Sequence, residues 1–430
     1  MNILIWAYNY NGGPYDIDRQ LNYKTIYNEL LHNFQANSMN IGNKVWIQGI
    51  ISELSTYDNN IYFLDNNETW DDINSKYDLI VYSAANMFAP QYNNLISEVT
   101  RLFKNSKLPI YVISIGAQTN SFNEINDLAK SMTNTVPKFM EAIYNTGGEV
   151  ACRGYFTKEF LDKVCSNTAE VVGCPSLFQN GRNLIINKKS GRLKPIFNGK
   201  VKYNQLYRYF DDSIYIDQDA FLEFVYNLND YTNKDYIMDY IVKYGDEQIE
   251  LLLNDKVKIF YDIPEWKDYI EKGNYNFSIG TRIHGNIISI LSSIPSIVIP
   301  CDSRTKEMAE FYNIPMLDKV ESYMDVERAY NELDYSNFNK KYPKLYDNFN
   351  YFLVKHKLVK QINNDNIYWK KKLPNNINYI DNKRQELKHI YSKLTKYDRN
   401  YYKLKNKLFK LLGMKKTRLI STMEKYTINR

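Results

Sequence analysis

Phe277-Ser-Ile-Gly-Thr-Arg-Ile-His-Gly-Asn286, the apolar run Ile287–Ile299 and Pro300-Cys-Asp-Ser-Arg-Thr305 follow one another without a break. The β-rich residues up to Ile279 predict a strand, and the apolar pattern from Asn286 predicts a helix. Gly280 to Gly285 then form the turn between them. Strand, glycine-flanked turn and helix, with a second strand at Ser296–Ile299, make the unit of a doubly wound α/β fold. In such folds ligands bind beyond the carboxyl ends of the strands, where helix N-termini offer free N–H groups to anions.

The residues of this turn carry chemistry. Arg282 is a permanent, forked cation suited to phosphate or carboxylate. His284 adds a group whose ordinary titration lies near neutrality. A lone histidine is often structural, but an Arg-x-His-Gly turn at a strand–helix junction points to function. Gly280 and Gly285, flanking Thr281, are expected to let the backbone come close to a ligand. Asp302 and Arg304 follow the next predicted strand. They either line the same crevice or form a surface ion pair.

Outward from this turn, strands alternate with helices. Ile3–Trp6, Asp78–Tyr82, Ile110–Ile113, Val150–Cys152 and Glu170–Val172 read as strands, with amphipathic segments such as Leu95–Phe103 and Val136–Tyr144 between them. A second series starts near Pro195, with strands at Ser213–Ile216, Val257–Phe260, Tyr275–Ile279 and Ser296–Ile299 and helices at Ala220–Leu228, Ile237–Asp255 and Asn286–Ser293. Gly173-Cys-Pro-Ser176 and the polar stretch Asn180–Lys194 mark a boundary between two Rossmann-like halves. The expected division is residues 1–180, residues 181–335 and a tail, residues 336–430.

The 430 residues suit two domains plus an extension, and 44% hydrophobic with 24% charged residues is a globular composition. The first residues lack the basic flank of a signal peptide, and Pro295 interrupts the longest apolar stretch, so a cytoplasmic protein is expected. Cys152, Cys165, Cys174 and Cys301 have no metal-ligand spacing and read as reduced thiols. No metal is expected.

The net charge of +6 is unevenly spread. Residues 351–430 hold 21 Lys/Arg against 5 Asp/Glu, and the rest hold 34 against 44. Leu387, Ile390, Leu394, Tyr397, Tyr401, Leu404, Leu408 and Leu411 follow a 3,4,3,4 spacing, which predicts one helical seam ended by Gly413. Such a basic, seamed helix can lie on an anionic membrane, pair with its twin or pack back on the body.

Thr281-Arg-Ile-His-Gly-Asn286, with Ser293-Ile-Pro-Ser296 and Asp302-Ser-Arg-Thr305, resembles the signature of polysaccharide pyruvyl transferases. Ser114-Ile-Gly-Ala-Gln118 resembles that family's central glycine loop, and Ala151-Cys-Arg-Gly-Tyr-Phe-Thr157 its Ser-x-Arg-acid segment. Tyr215-Ile-Asp-Gln218 and Glu265-Trp266 resemble motifs of its second domain. The likeness covers roughly residues 1–330. It implies an α/β fold of two Rossmann-like, GT-B-like domains with a basic helical extension. It also implies transfer of pyruvate from phosphoenolpyruvate, as a ketal, onto a sugar of a cell-surface polysaccharide or its lipid-linked precursor.

By this resemblance Arg282 and His284 are catalytic, and Arg153, Gly116, Gln118, Gly280, Thr281, Gly285, Asp302 and Arg304 bind the donor. Gly116 is either such a contact or a turn glycine. The donor is a substrate, so no cofactor is implied. The expected partners are a sugar or lipid-linked glycan and, through the tail, the inner face of an anionic membrane. No nucleic acid is expected, and self-association stays open. The chain departs from the family in three acids. Asn40-Ile-Gly-Asn43 ends on Asn, Gly154 follows Arg153, and Cys174 precedes Pro175. A nucleotide-sugar glycosyltransferase or a non-catalytic carbohydrate-binding protein could use the same fold.

Overall fold

The computed structural model describes residues 1–7, 40–56, 58–64, 68–166, 169–199, 206–218, 246–260, 263–360, 377–395, 398, 400 and 401. The chain falls into two units. One holds Met1–Asp219 with Phe260–Asn375, and the other Ala220–Ile259 with Asn376–Arg430.

The first unit contains a sheet of β1 (Asn2–Ala7), β2 (Asn60–Phe63), β3 (Leu79–Ser83), β4 (Ile110–Ile115), β5 (Glu149–Cys152) and β6 (Glu170–Val171), in the order β2-β1-β3-β4-β5-β6. Every pairing is parallel, with Ile3 opposite Leu79 and Ile80 opposite Ile110. All residues of β3 and β4 are buried, as expected of central strands covered on both faces. Helix Asn93–Phe103 buries Ile96, Val99 and Phe103, and helix Val136–Tyr144 buries Phe139, Met140 and Ile143. Tyr82 meets Phe103 edge to face, with centroids 5.1 Å apart. Sheet order reverses its growth between β1 and β3.

The same unit holds strands of a second parallel sheet: β7 (Pro195–Asn198), β8 (Ile214–Asp217), β9 (Phe277–Gly280) and β10 (Ser296–Val298), ordered β10-β9-β7-β8. Here the reversal lies between β7 and β9, so Asn198 and Gly280 end the strands at the switch point. This is the place where open α/β sheets bind ligands. β2 and β7 were not among the expected strands. Helix Ser336–Lys355 packs back on the link between the two sheets. Tyr342 donates from its hydroxyl to the carbonyls of Leu177 and Gly181, and Phe178 stacks on Phe349.

The second unit holds helix Asp246–Leu253, strand Val257–Ile259 and helix Ile377–Ser392. Its two helices touch, Lys388 pairs with Asp255 at 2.9 Å, and Arg384 donates to the Val257 carbonyl. The predicted seam is therefore not one helix. It stops at Ser392, and a turn follows in which Thr395 and Asp398 cap each other (2.9 Å from Thr395 N, 3.2 Å back from Asp398 N). That reciprocal cap starts a new helical turn rather than extending the old one. Leu387, the seam's first member, is fully buried. The helix expected at Ala220–Leu228, residues 237–245 of the helix expected at Ile237–Asp255, and all of the seam beyond Tyr401 lie outside the described residues. Among those residues, no helix is long and apolar enough to cross a membrane.

Candidate functional site

Arg153 directly follows β5, two positions before helix Tyr155–Val164, and is 1% exposed. Its Nε and Nη2 donate to the Ser114 carbonyl at 3.2 and 2.8 Å, so its hydrogen bonds go to a backbone oxygen rather than to a carboxylate. Ser114 makes this possible. It sits at φ 64°, where the register of β4 shifts between Ile113 and Ile115, and this left-handed residue turns its carbonyl toward the guanidinium. Such strain persists only where the surroundings hold it. The glycine of the central loop is explained by the same arginine. A β-carbon at Gly116 would lie 2.5 Å from Arg153 Nε. Burial pulls the guanidinium below its ordinary pKa, and Arg304 adds to that.

The turn after β9 is shorter than its sequence suggests. Helix Ile283–Leu291 opens three residues before Asn286, with Arg282 as its N-cap, so His284 lies in the first helical turn. Asn286 explains the early start. Its Nδ2 donates to the carbonyls of Gly280 (3.0 Å) and Arg282 (3.3 Å), and its Oδ1 accepts from Ser278, which also takes a bond from Asn198. Gly280 is a glycine because β7 is too close. A β-carbon there would lie 1.4 Å from the Asn198 carbonyl oxygen. At Gly285 it would lie 2.4 Å from Gln218 Nε2 and 2.5 Å from Asn198 Oδ1. Both glycines thus admit neighbouring protein groups.

His284 is partly accessible, but its Nε2 is buried and has no hydrogen-bond partner among the described residues. Its pKa is lowered to about 3, first by burial and then by the charges of Arg153 and Arg304. The imidazole is therefore neutral at pH 7, not poised near neutrality as its ordinary pKa suggests. At the start of helix Gly42–Leu54, Asn40-Ile-Gly-Asn43 reaches this spot. Ile41 N donates to the Gln218 carbonyl at 2.9 Å, and a β-carbon on Gly42 would lie 3.2 Å from His284 Cβ. Gln218 Nε2 is buried and, among the described residues, unpartnered.

Asp302 caps helix Ser303–Tyr312, accepting from Thr305 N at 2.8 Å, and also pairs with Arg304 at 3.0 Å. Arg304 is one quarter exposed and lies close enough to bear on both Arg153 and His284. Ser303 and Thr119 exchange two bonds (2.9 and 3.1 Å), locking the loop after β4 to this helix. Gln118 takes its side-chain bond from Asn86, and Thr281 is buried with its carbonyl facing Cys301 Sγ.

The arrangement brings Arg153, Arg304 and His284 together. Arg282 caps the helix that carries His284, while Asp302, Gln118, Thr281, Gly280 and Gly285 sit in contacts within the protein. One residue without a sequence signal joins the site. Glu307, 2% exposed, accepts from Thr157 N at 2.6 Å and Thr157 Oγ1 at 3.0 Å. Its Cγ would lie 2.4 Å from a β-carbon on Gly154. A carboxyl side chain from another helix thus fills the space beside the residue that follows Arg153. Trp266, from the Glu265-Trp266 motif, is fully buried against Phe260. Among the described residues, no group of three or more His, Cys, Asp or Glu could hold a metal ion. A buried and a partly exposed arginine, a helix N-terminus and a neutral imidazole are groups suited to receiving an anion.

The model of the family described as polysaccharide pyruvyl transferase matches residues 10–303. No curated protein matches the chain. Among solved structures, the chain is similar to the S. aureus MnaA–UDP co-structure, with 10% identity and TM-score 0.38 over 85% of this chain and 100% of that one. It is also similar to the UDP-GlcNAc 2-epimerase of Neisseria meningitidis bound to UDP-GlcNAc, with 11% identity and TM-score 0.34 over 92% and 100%.

Proposed function

The chain belongs to the polysaccharide pyruvyl transferase family and is a transferase. From that premise we propose that it takes pyruvate from phosphoenolpyruvate and sets it as a ketal on two hydroxyls of a polysaccharide sugar. In this reaction a proton adds to C3 of the enol and leaves an oxocarbenium-like centre at C2. One sugar hydroxyl attacks C2 and loses its proton. The C2–O bond to phosphate then breaks, and the second hydroxyl closes the ketal with loss of its own proton.

The observation that carries this reading is the buried Arg153, whose hydrogen bonds leave it without a contact carboxylate, beside Arg304 and a neutral His284. A donor with a phosphate and a carboxylate calls for at least two cations. Arg153 and Arg304 supply them, with Arg282 and the helix N-terminus it caps as a third contact. An anion offsets the Arg153 and Arg304 charges that, after burial, lower the His284 pKa. That offset favours a proton on the histidine, which can then hold the phosphate or protonate the enol.

The acceptor in this reading is a lipid-linked glycan at the cytoplasmic face of a membrane. The 21 Lys/Arg against 5 Asp/Glu in residues 351–430 support attraction to an anionic surface, each nearby cation adding about 1 kcal/mol.

Ligand-dependent melting tests the donor. Phosphoenolpyruvate at a hundredfold its Kd should stabilise the protein by about 2.7 kcal/mol, with UDP-sugars giving none. In turnover, His284→Ala should fall by roughly 10²–10⁴ while staying folded. A rise in melting temperature with a nucleotide sugar and none with phosphoenolpyruvate would overturn the proposal in favour of a glycosyltransferase.

A further inference from the structure

Glu307 has an unusual position for an acid beside an anion site. It comes from helix Ser303–Tyr312 and is buried, and both oxygens are held by Thr157 at the start of helix Tyr155–Val164. It fills the space that any side chain at Gly154 would take. That places it against the residue next to Arg153, and the two attract through the protein interior without an ion-pair contact. Thr157 Oγ1 donates to Glu307 while accepting from Ala117 N at 2.9 Å, so the carboxyl is tied to the Gly116 loop as well.

We infer that Glu307 is a positioning residue for Arg153 whose charge sets how strongly that arginine attracts an anion. Protonated, the acid leaves the full charge of Arg153 to the ligand. Ionised, it offsets that charge and weakens anion binding. This inference deepens the donor site proposed above and rests on that reading for the identity of the anion, but not for its charge.

The groups bearing on the carboxyl set its range. Burial raises its pKa to about 7, the bonds from Thr157 and the charge of Arg153 act the other way, and Glu310 on its own helix adds a smaller rise. The Cys152 thiol faces it from the end of β5 and stays protonated, its own pKa pushed up mainly by burial. Loss of the Glu307 proton therefore falls within the range in which the protein would work.

Inorganic phosphate and phosphoenolpyruvate, titrated into the full chain between pH 6 and pH 8.5, test this. Wild type should lose roughly tenfold more affinity across that range than Glu307→Gln, which keeps the shape but has no charge to gain. Parallel profiles would overturn the inference. Gly154→Ala gives a second reading, because its methyl would push the Glu307 side chain off its place. It should flatten the same pH dependence, and an unchanged slope in a folded Gly154→Ala protein also overturns it. If phosphate shows the difference and phosphoenolpyruvate does not bind, the donor assignment falls and the role of Glu307 stands.

Discussion

Gly116→Ala isolates the link between the central loop and Arg153. The new β-carbon would lie 2.5 Å from Nε, 2.7 Å from Cδ and 3.0 Å from Cζ of Arg153. Gly116 is not in the left-handed region, so alanine costs nothing in backbone strain there, and the whole penalty falls on the arginine. Overlap this close along a buried side chain cannot be relieved by a small shift. The guanidinium must leave the Ser114 carbonyl, breaking bonds of 3.2 and 2.8 Å. Charge-assisted bonds contribute about 1.5–3 kcal/mol each, and two to one acceptor add less than fully, so a loss near 3 kcal/mol is expected. That lowers Tm by roughly 5 °C. Displacing the cation by an ångström or more should weaken phosphoenolpyruvate and cut kcat/KM by about 10²-fold. Calorimetry and steady-state kinetics on Gly116→Ala, Arg153→Ala and the double variant provide the assay. Once Arg153 is truncated, the extra methyl should have no further effect. Wild-type donor affinity in folded Gly116→Ala, or full additivity in the double variant, would refute the reasoning.

Two further outcomes follow from the same geometry. The folded pKa of His284, about 3, lies below its ordinary 6.5, so its contribution to stability is complete above pH 6.5 and is lost as pH falls toward 3. Denaturant midpoints for His284→Gln should therefore fall less steeply with acidification over that range, by up to about 1.4 kcal/mol per pH unit, and parallel curves would contradict the assignment. Gly280→Ala, whose methyl meets a strand carbonyl, should abolish soluble folded protein, whereas Gly285→Ala meets only the side chains of Gln218 and Asn198 and should fold with a lowered Tm. Equal expression and melting of the two would show that β7 and β9 yield more than their pairing suggests.

Much of the architecture was legible because parallel strands buried on both faces are written as continuous apolar runs, and β3, β4 and β5 are such runs. β2 was not, since Asn60-Ile-Tyr-Phe63 lies at the sheet edge and alternates exposed with half-buried residues over only four positions. β7 begins on a proline inside a polar stretch and carries no periodic signal. The helical seam breaks before Thr395 although its apolar spacing continues, because such spacing survives a turn of the right length. The local Thr395–Asp398 cap, not the spacing, decides where one helix stops.

The candidate site was legible to the extent that its groups are neighbours in the chain. Arg282, His284 and Gly285 share one strand–helix junction, so their types and order could be read together. Glu307 could not be found this way. It lies just beyond the Asp302-Ser-Arg-Thr305 segment, but its contacts arise from Gly154 and Thr157, some 150 residues away. The missing side chain at position 154 was itself the signal, since a glycine in fully extended backbone (φ −175°) is not required by conformation. Its cause had to be a close neighbour. The same reasoning covers Gly116, Gly280 and Gly285, each filled by protein rather than left open for a ligand. The space for an anion is therefore to be sought beside the charged groups Arg153, Arg304 and His284, not over the glycines. Burial is the first cause of the low His284 pKa and the charges of Arg153 and Arg304 the second, so a ligand that answers those charges should raise the pKa only by their smaller share.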